Sequence, residues 1–204
     1  MIVLDIEASG SDFLRNGIWQ IGALDLDNPK NCFLDECRID DDELCTQEAL
    51  SVIDKTEKYL RDPKNQSEKE LLEKFFRWCD KSISKNFLCQ GPQFDVGALK
   101  AKASKYGLKY PFHWRAFDLH SIAGLRYHQL NGEFLMKKSR KDMHSDMSLT
   151  NILKFCGMKD NRAAHNALED CKLTAECFFR IVYGKNLLKE FNGYPIPEYL
   201  KINL

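Results

Sequence analysis

The run Met1-Ile-Val-Leu-Asp5-Ile-Glu7 constrains this chain more than any other stretch. It reads as an aliphatic, β-branched strand into which two carboxylates have been set two residues apart. Period two in a strand places Asp5 and Glu7 on the same sheet face. Burying both unpaired would be costly, whereas a divalent cation supplies the opposite charge that their ionised forms require. Either this end of the strand is solvated and the acids are ordinary surface charges, or the pair is part of a site for a hard cation.

Residues 1–8, 17–26 and 31–38 read as three consecutive strands, punctuated by Gly10 and Gly17 and then by Asn28-Pro29. Two helical stretches follow, the clearer at 67–81, where Leu71, Leu72, Phe75, Phe76 and Cys79 recur at helical spacing behind a Ser67/Glu70 capping box. A short strand at 86–89, a Gly91-Pro92 break and a helix over 95–106 come next. The spacing then predicts a strand at 115–118 and helices over 119–130, 148–156 and 166–182. Strands that run together first and alternate with helices later fit an α/β fold, a mixed central sheet with helices on its faces. At 204 residues the chain is one domain with peripheral additions. We divide it into a domain over 1–183 and a tail over 184–204, in which Pro195 and Pro197 stand among aromatic and leucine residues and predict an extended segment packed on the domain or on a partner.

Lysine plus arginine and aspartate plus glutamate both number 30, so no global field advertises a polyanionic partner, although a metal and a few local cations suffice to hold a phosphate chain. Those cations gather at Lys137, Lys138, Arg140 and Lys141, in a stretch over 132–146 with little apolar periodicity. It reads as a mobile loop, either a solvated connection or a basic flap that meets a phosphate backbone. The eight cysteines include no CxxC pair, and no signal peptide or membrane-spanning run is present. Buried thiols in a reducing, cytoplasmic compartment are the expectation.

The acids at Asp5 and Glu7 gain meaning from company. Asp95 follows Gly91-Pro92 in the first turn of its helix, and Asp170 stands in the last long helix with His165 five residues before it. Val3-Leu-Asp5-Ile-Glu7-Ala-Ser-Gly10, Gly91-Pro-Gln-Phe94-Asp95 and His165-Asn-Ala-Leu-Glu-Asp170 together resemble the three motifs of the DEDDh class of 3′-to-5′ exonucleases. The likeness extends to 17–23, 47–53 and 148–157, and so covers almost the whole chain, the tail least specifically.

The resemblance implies an RNase H-like fold beginning at Met1, and hydrolysis of single-stranded 3′ ends of DNA, RNA or both with release of nucleoside 5′-monophosphates. It implies two divalent cations, Mg²⁺ or Mn²⁺, with Asp5 bridging them, Glu7 and Asp170 completing the ion that holds the attacking water, and Asp95 serving the second. His165 would take the water's proton, a role for which an imidazole of ordinary pKa near ~6.5 is suited. Ser9, Gly10 and Phe94 would cradle the 3′ nucleotide, by backbone contacts and by stacking on a base. Asp118 belongs to none of the motifs and reads as structural. Gln90, Gly91 and Pro92 stand where many relatives have a His-Asn pair, and Ala8-Ser9 where many have threonine, so the sugar preference does not carry over. No membrane partner is implied. Assembly as a homodimer or as a subunit of a larger nucleic-acid-processing complex both remain within the resemblance. Two rivals share the features: a non-catalytic nuclease-like accessory subunit, against which the intact five-residue set weighs, and an RNase H-like endonuclease, against which His165 weighs.

Overall fold

The computed structural model describes residues 1–162 and 165–201. In it the carboxylate-bearing strand β1 (Ile2–Ala8) is the middle of a five-stranded sheet. It pairs antiparallel with β2 (Ile18–Asp25), and β2 pairs antiparallel with β3 (Asn28–Glu36). On its other side β1 runs parallel to β4 (Phe87–Cys89), and β4 to β5 (Phe117–Asp118). Helices α1 (Gln47–Ile53), α2 (Glu57–Leu60) and α3 (Glu68–Cys79) join β3 to β4, and α4 (Pro92–Lys105) joins β4 to β5. Then come α5 (Leu119–Asn131), a separate ribbon of β6 (Met136–Lys138) and β7 (Met143–Ser145), α6 (Leu149–Phe155) and α7 (Ala167–Tyr183). This is the mixed sheet flanked by helices that the strand order predicts, in the RNase H-like arrangement.

The alternation along β1 sorts the interior into two layers. Ile2, Leu4 and Ile6 pack with Leu71, Leu72 and Phe75 of α3 and with Leu99 of α4. Val3 points the other way, into a cluster with Leu24, Leu88 and residues of α5, α6 and α7. Asp5 and Glu7 share the face of Val3 by the strand's period, so they look toward α7.

Several boundaries differ from the sequence expectation, each for a local reason. Asn28-Pro29 is not the second turn; Leu26 and Asp27 make it, and Pro29 is accommodated because β3 is an edge strand. Gly91-Pro92 does not break the chain before a helix starting at Asp95; it starts the helix. Gly91 takes φ +84° as N-cap, and Pro92 occupies the first position, where its missing N–H has no partner to lose. The capping box at Ser67 and Glu70 is present as predicted, while the single turn of α2, capped by Thr56, is an addition.

The basic stretch is a correction. Expected as a mobile loop, it is an antiparallel ribbon with Lys137 opposite His144. Both of its faces are exposed, so it shows no apolar/polar alternation for a sequence reading to find. The tail departs from an extended segment by two single 3₁₀ turns, Lys189–Phe191 and Glu198–Leu200. It is held to its own domain by Arg180, which is fully buried, pairs with Glu176 at 2.8 Å and donates to the carbonyls of Cys156, Phe191 and Tyr194 at 3.0–3.1 Å. Glu176 in turn accepts the N–H groups of Leu187 and Leu188. The last three residues of the expected tail, 202–204, lie outside the described residues. Among the described residues no helix is long and apolar enough to cross a membrane.

Candidate active site

The parallel strands β1, β4 and β5 end on one edge of the sheet, and the chemistry gathers there. The Asp5 and Glu7 carboxylates occupy the last half of β1. Asp95, in the first turn of α4, reaches across so that its Oδ1 accepts the Ile6 N–H at 3.1 Å. From the far side α7 presents Asp170, whose Oδ2 lies 3.1 Å from Nδ1 of His165. Ligand atoms of Glu7, His165 and Asp170 all fall within 4.8 Å of one another. The structure therefore brings Asp5, Glu7, Asp95, His165 and Asp170 to one place from segments some 90 and 75 residues apart in sequence.

The first turn of α7 is seated on β2 by a close approach. A Cβ on Gly22 would stand 2.2 Å from the backbone carbon of Ala167, so no other residue leaves that room. Gly22 is paired in register with Asp5, which puts the helix beside the acid. The buried Gln20 accepts the Ala167 N–H at 2.8 Å, and the Cys171 thiol donates to the Gly22 carbonyl at 3.2 Å.

Charge is crowded at this edge. Burial, then repulsion from Asp95, Asp170 and Glu7, raises the Asp5 pKa well above the ordinary carboxylate range, with Arg162 opposing. Burial pushes Glu7 up to about 7 against the attraction of His165. Asp95 is pushed up to about 8 by burial, partly offset by the Ile6 N–H. A second carboxylate group, Asp40, Glu43 and Glu68, shows the contrast. There the buried Lys102 pairs with Glu43, and Lys105 meets Asp40 at 2.9 Å and Glu43 at 2.7 Å, so lysines supply most of the countercharge, although burial and the neighbouring Glu43 still push Glu68 up to about 7. Among the described residues the β1 edge has no lysine partner of this kind; besides His165 it has Arg162, whose guanidinium bonds Asp170 at 2.9 Å and Asp160 at 2.7 Å. Four oxygen-donor carboxylates so short of positive charge fit divalent cations.

Beside Glu7 opens a cleft of about 370 Å³, lined among others by Gly10, Thr46, Glu48, Val52 and Phe94. Gly10 and Phe94 are part of its lining. Ser9 is not. Its hydroxyl donates to the Leu44 carbonyl at 2.6 Å and accepts the Gly17 N–H at 2.9 Å, and its own N–H donates to Gly17. Every donor of this fully buried residue is spent inside the fold. Asp118 is structural, accepting the N–H groups of Gly91, His120 and Ser121 at 3.0–3.3 Å.

Sequence reasoning missed Arg162, Gly22 and Gln20. Asp160-x-Arg162 just before the third motif was a legible sign of a charged brace, whereas Gly22 and Gln20 look like any strand residues until α7 is placed.

Comparison with known proteins agrees with this geometry. The family described as exonuclease, of the RNase T type, matches residues 2–178. The chain is 27% identical to Ribonuclease T of Wigglesworthia glossinidia brevipalpis over 98% of its own length and 91% of that protein's. It is 32% identical to Ribonuclease T of Vibrio vulnificus (strain YJ016) over 59% of this chain and 46% of that one. Among solved structures it is similar to the nuclease domain of 3′hExo, a DEDDh family member bound to rAMP, with a TM-score of 0.64 and 17% identity over 97% of this chain and 95% of that one. Exonuclease I of E. coli in complex with a dA16 oligonucleotide superposes with a TM-score of 0.64 and 17% identity, over 85% of this chain and 38% of that one. At these identities the two superpositions speak for the fold.

Proposed function

The chain belongs to the RNase T family of exonucleases and is a 3′-to-5′ exonuclease, and from that premise we propose how it works: Asp5, Glu7, Asp95 and Asp170 hold two divalent cations, Mg²⁺ or Mn²⁺, and His165 is the general base. The observation that carries this reading is the meeting of Glu7, His165 and Asp170 within 4.8 Å at the open end of β1, with Asp5 and Asp95 beside them. Cations held there would activate the attacking water and offset the charge that develops on the leaving oxygen.

The protein's own groups do the rest. Asp170 orients the imidazole through Nδ1, which leaves the other ring nitrogen to take a proton from water. The His165 side chain is 45% exposed, so water reaches it. Arg162 holds Asp170 from the side away from the histidine, through the other carboxylate oxygen. The cleft beside Glu7 takes the terminal nucleotide, Gly10 allowing a close backbone approach and Phe94 offering a ring face to the base. The catalytic unit in this reading is 1–183, with the described part of the tail, 184–201, as a strap on its helical side. The product is a nucleoside 5′-monophosphate, and the full-length likeness to Ribonuclease T favours an RNA 3′ end as the substrate.

The test is digestion of 5′-labelled single-stranded RNA and DNA of one sequence with Mg²⁺ or Mn²⁺, wild type beside Asp170→Asn. A ladder that shortens from the 3′ end, absent in the variant, is the expected result. Full activity in the variant would refute the metal assignment. No cleavage of either strand by folded wild type would favour a non-catalytic binding role.

A further inference from the structure

The β6–β7 ribbon is not explained by burial, since all six of its strand residues are exposed. A two-stranded ribbon with no covered face is marginal in water, and what this one displays is charge. Lys137, Lys138, Arg140 and Lys141 crowd its turn, and none of them enters an ion pair among the described residues. The one acid of the turn, Asp142, is engaged by Ser139 and lies 3.6 Å from His144. In a chain whose charges sum to zero, this is a local excess of uncompensated cations. Phe134, Met136 and Met143, each 43–62% exposed, stand among them.

The ribbon is also tied to the catalytic edge. Ser145 Oγ lies 2.8 Å from Nε2 of His120, in the first turn of α5, the helix that Asp118 caps. Asp118 also holds the Gly91 N–H, and Gln90 donates to the Met147 carbonyl at 3.0 Å just past the ribbon. Gln90 and Gly91 lead directly into α4 and Asp95. The root of the ribbon is therefore fixed to the loops at the carboxyl ends of β4 and β5, the edge on which the acids gather.

Cations interleaved with exposed apolar side chains are the chemistry that holds a single strand, phosphates on the former and base faces on the latter. We infer that the β6–β7 ribbon is a second contact for the substrate, gripping phosphates of a single strand upstream of its 3′ end while the terminal nucleotide lies in the cleft. The inference rests on the exonuclease reading and adds to it the surface that prefers long strands over short ones.

The experiment compares hydrolysis of a dinucleotide with that of a strand of about 20 nucleotides, longer than the ~4–16 that one groove covers. The variant carries Lys137→Gln, Lys138→Gln, Arg140→Gln and Lys141→Gln. Its kcat/KM on the long strand should fall roughly 10–100-fold while the dinucleotide rate stays at the wild-type value. The slope of log(kcat/KM) against log[salt] should become shallower by ~0.7 for each phosphate that the variant no longer neutralises. A charge-preserving variant (Lys137→Arg, Lys138→Arg, Arg140→Lys, Lys141→Arg) should behave as wild type. Unchanged long-strand kinetics and salt slope in the glutamine variant would overturn the inference alone, as would an equal loss on both substrates. A wild type that hydrolyses neither substrate would overturn the exonuclease reading and the inference with it.

Discussion

Replacing Asp95 by asparagine should make the metal-free protein more stable at pH 8 while abolishing its activity. Burial, with Glu7 adding repulsion, raises the Asp95 pKa from 3.8 to about 8 despite the hydrogen bond from Ile6. Between those two values the folded protein keeps a proton that the unfolded chain has released. Folding therefore takes up a proton, and stability falls as pH rises through that window. One full proton is worth ~1.4 kcal/mol per pH unit. Water at the open end of the site, and charge shared with Asp5 and Glu7, reduce the sum, so the expected gain for Asp95→Asn is roughly 2–4 kcal/mol at pH 8. The asparagine Oδ1 can still accept the Ile6 N–H now held at 3.1 Å.

For a chain of this length ~1 kcal/mol moves Tm by roughly 2–4 °C, which puts the difference at roughly 4–16 °C. Thermal unfolding followed by circular dichroism in EDTA, from about pH 4 to about pH 9, reads it directly. The two proteins should coincide near the acid end and separate steadily above it. Saturating Mn²⁺ should reverse the order, because an ion stabilises only the protein that holds it. A variant that is less stable than wild type at pH 8 without metal, or a difference that does not change with pH, would refute the reasoning.

Four other substitutions probe the rest of the arrangement. His165→Ala should lower the single-turnover rate by roughly 10²–10⁴ with Tm unchanged, and an unaltered rate would remove the imidazole from the chemistry. Arg162→Met takes the shared cation from Asp160 and Asp170 and should cost roughly 3–5 kcal/mol in metal-free denaturant unfolding, less with Mn²⁺ present; an equal cost in both conditions would separate Arg162 from the metal site. Gly22→Ala drives a Cβ into the backbone at Ala167 and should cost about 1–3 kcal/mol together with at least a tenfold loss of rate, since α7 carries Asp170; a folded variant of full activity would contradict the close-approach argument. Arg180→Met strips the tail of its anchor and leaves Glu176 buried alone, so the same unfolding assay should show a loss of roughly 3–5 kcal/mol, and a variant as stable as wild type would show that the tail is not held there.

What the sequence made legible was what periodicity and chemistry both mark. β1 could be read because its apolar positions and its two acids obey one period, and the three motifs because their residues are rare in combination. The capping box at Ser67 and Glu70 was read to the residue, and the stretch 47–53 that shares the family likeness is a helix over those bounds. Several of the failures share a physical origin, which is that the deciding contact lies far away in sequence. Ser9 has the look of a ligand-facing residue beside Glu7, yet its hydroxyl is spent on Leu44 and Gly17. Gly91-Pro92 has the look of a break because the same pair can end one element or begin the next, and only the helix behind it decides. Lys102 gives no sign of its burial, since its partners Glu43 and Glu68 arrive from other segments.

The two carboxylate clusters show why, in the function proposed above, one is the catalytic site and the other a brace. Both gather acids from segments distant in sequence, and both bury most of them. Around Glu43 and Glu68, the helix α4 contributes Lys102 and Lys105, and the Tyr106 hydroxyl at its end lies within hydrogen-bonding reach of both Asp40 and Glu68, so most of the charge is met from within the chain. At the end of β1 the same helix contributes an acid instead, Asp95, and α7 contributes another. Arg162 engages Asp170 alone among the four, leaving Asp5, Glu7 and Asp95 without a bonded cation among the described residues. Folding alone does not repay such a cluster, because three of its carboxyls are pushed toward the protonated form. The deficit is relieved either by protons or by positive charge from outside the chain, and in the proposed function the same electrostatic strain that weakens the metal-free fold above neutral pH is what draws cations to the site.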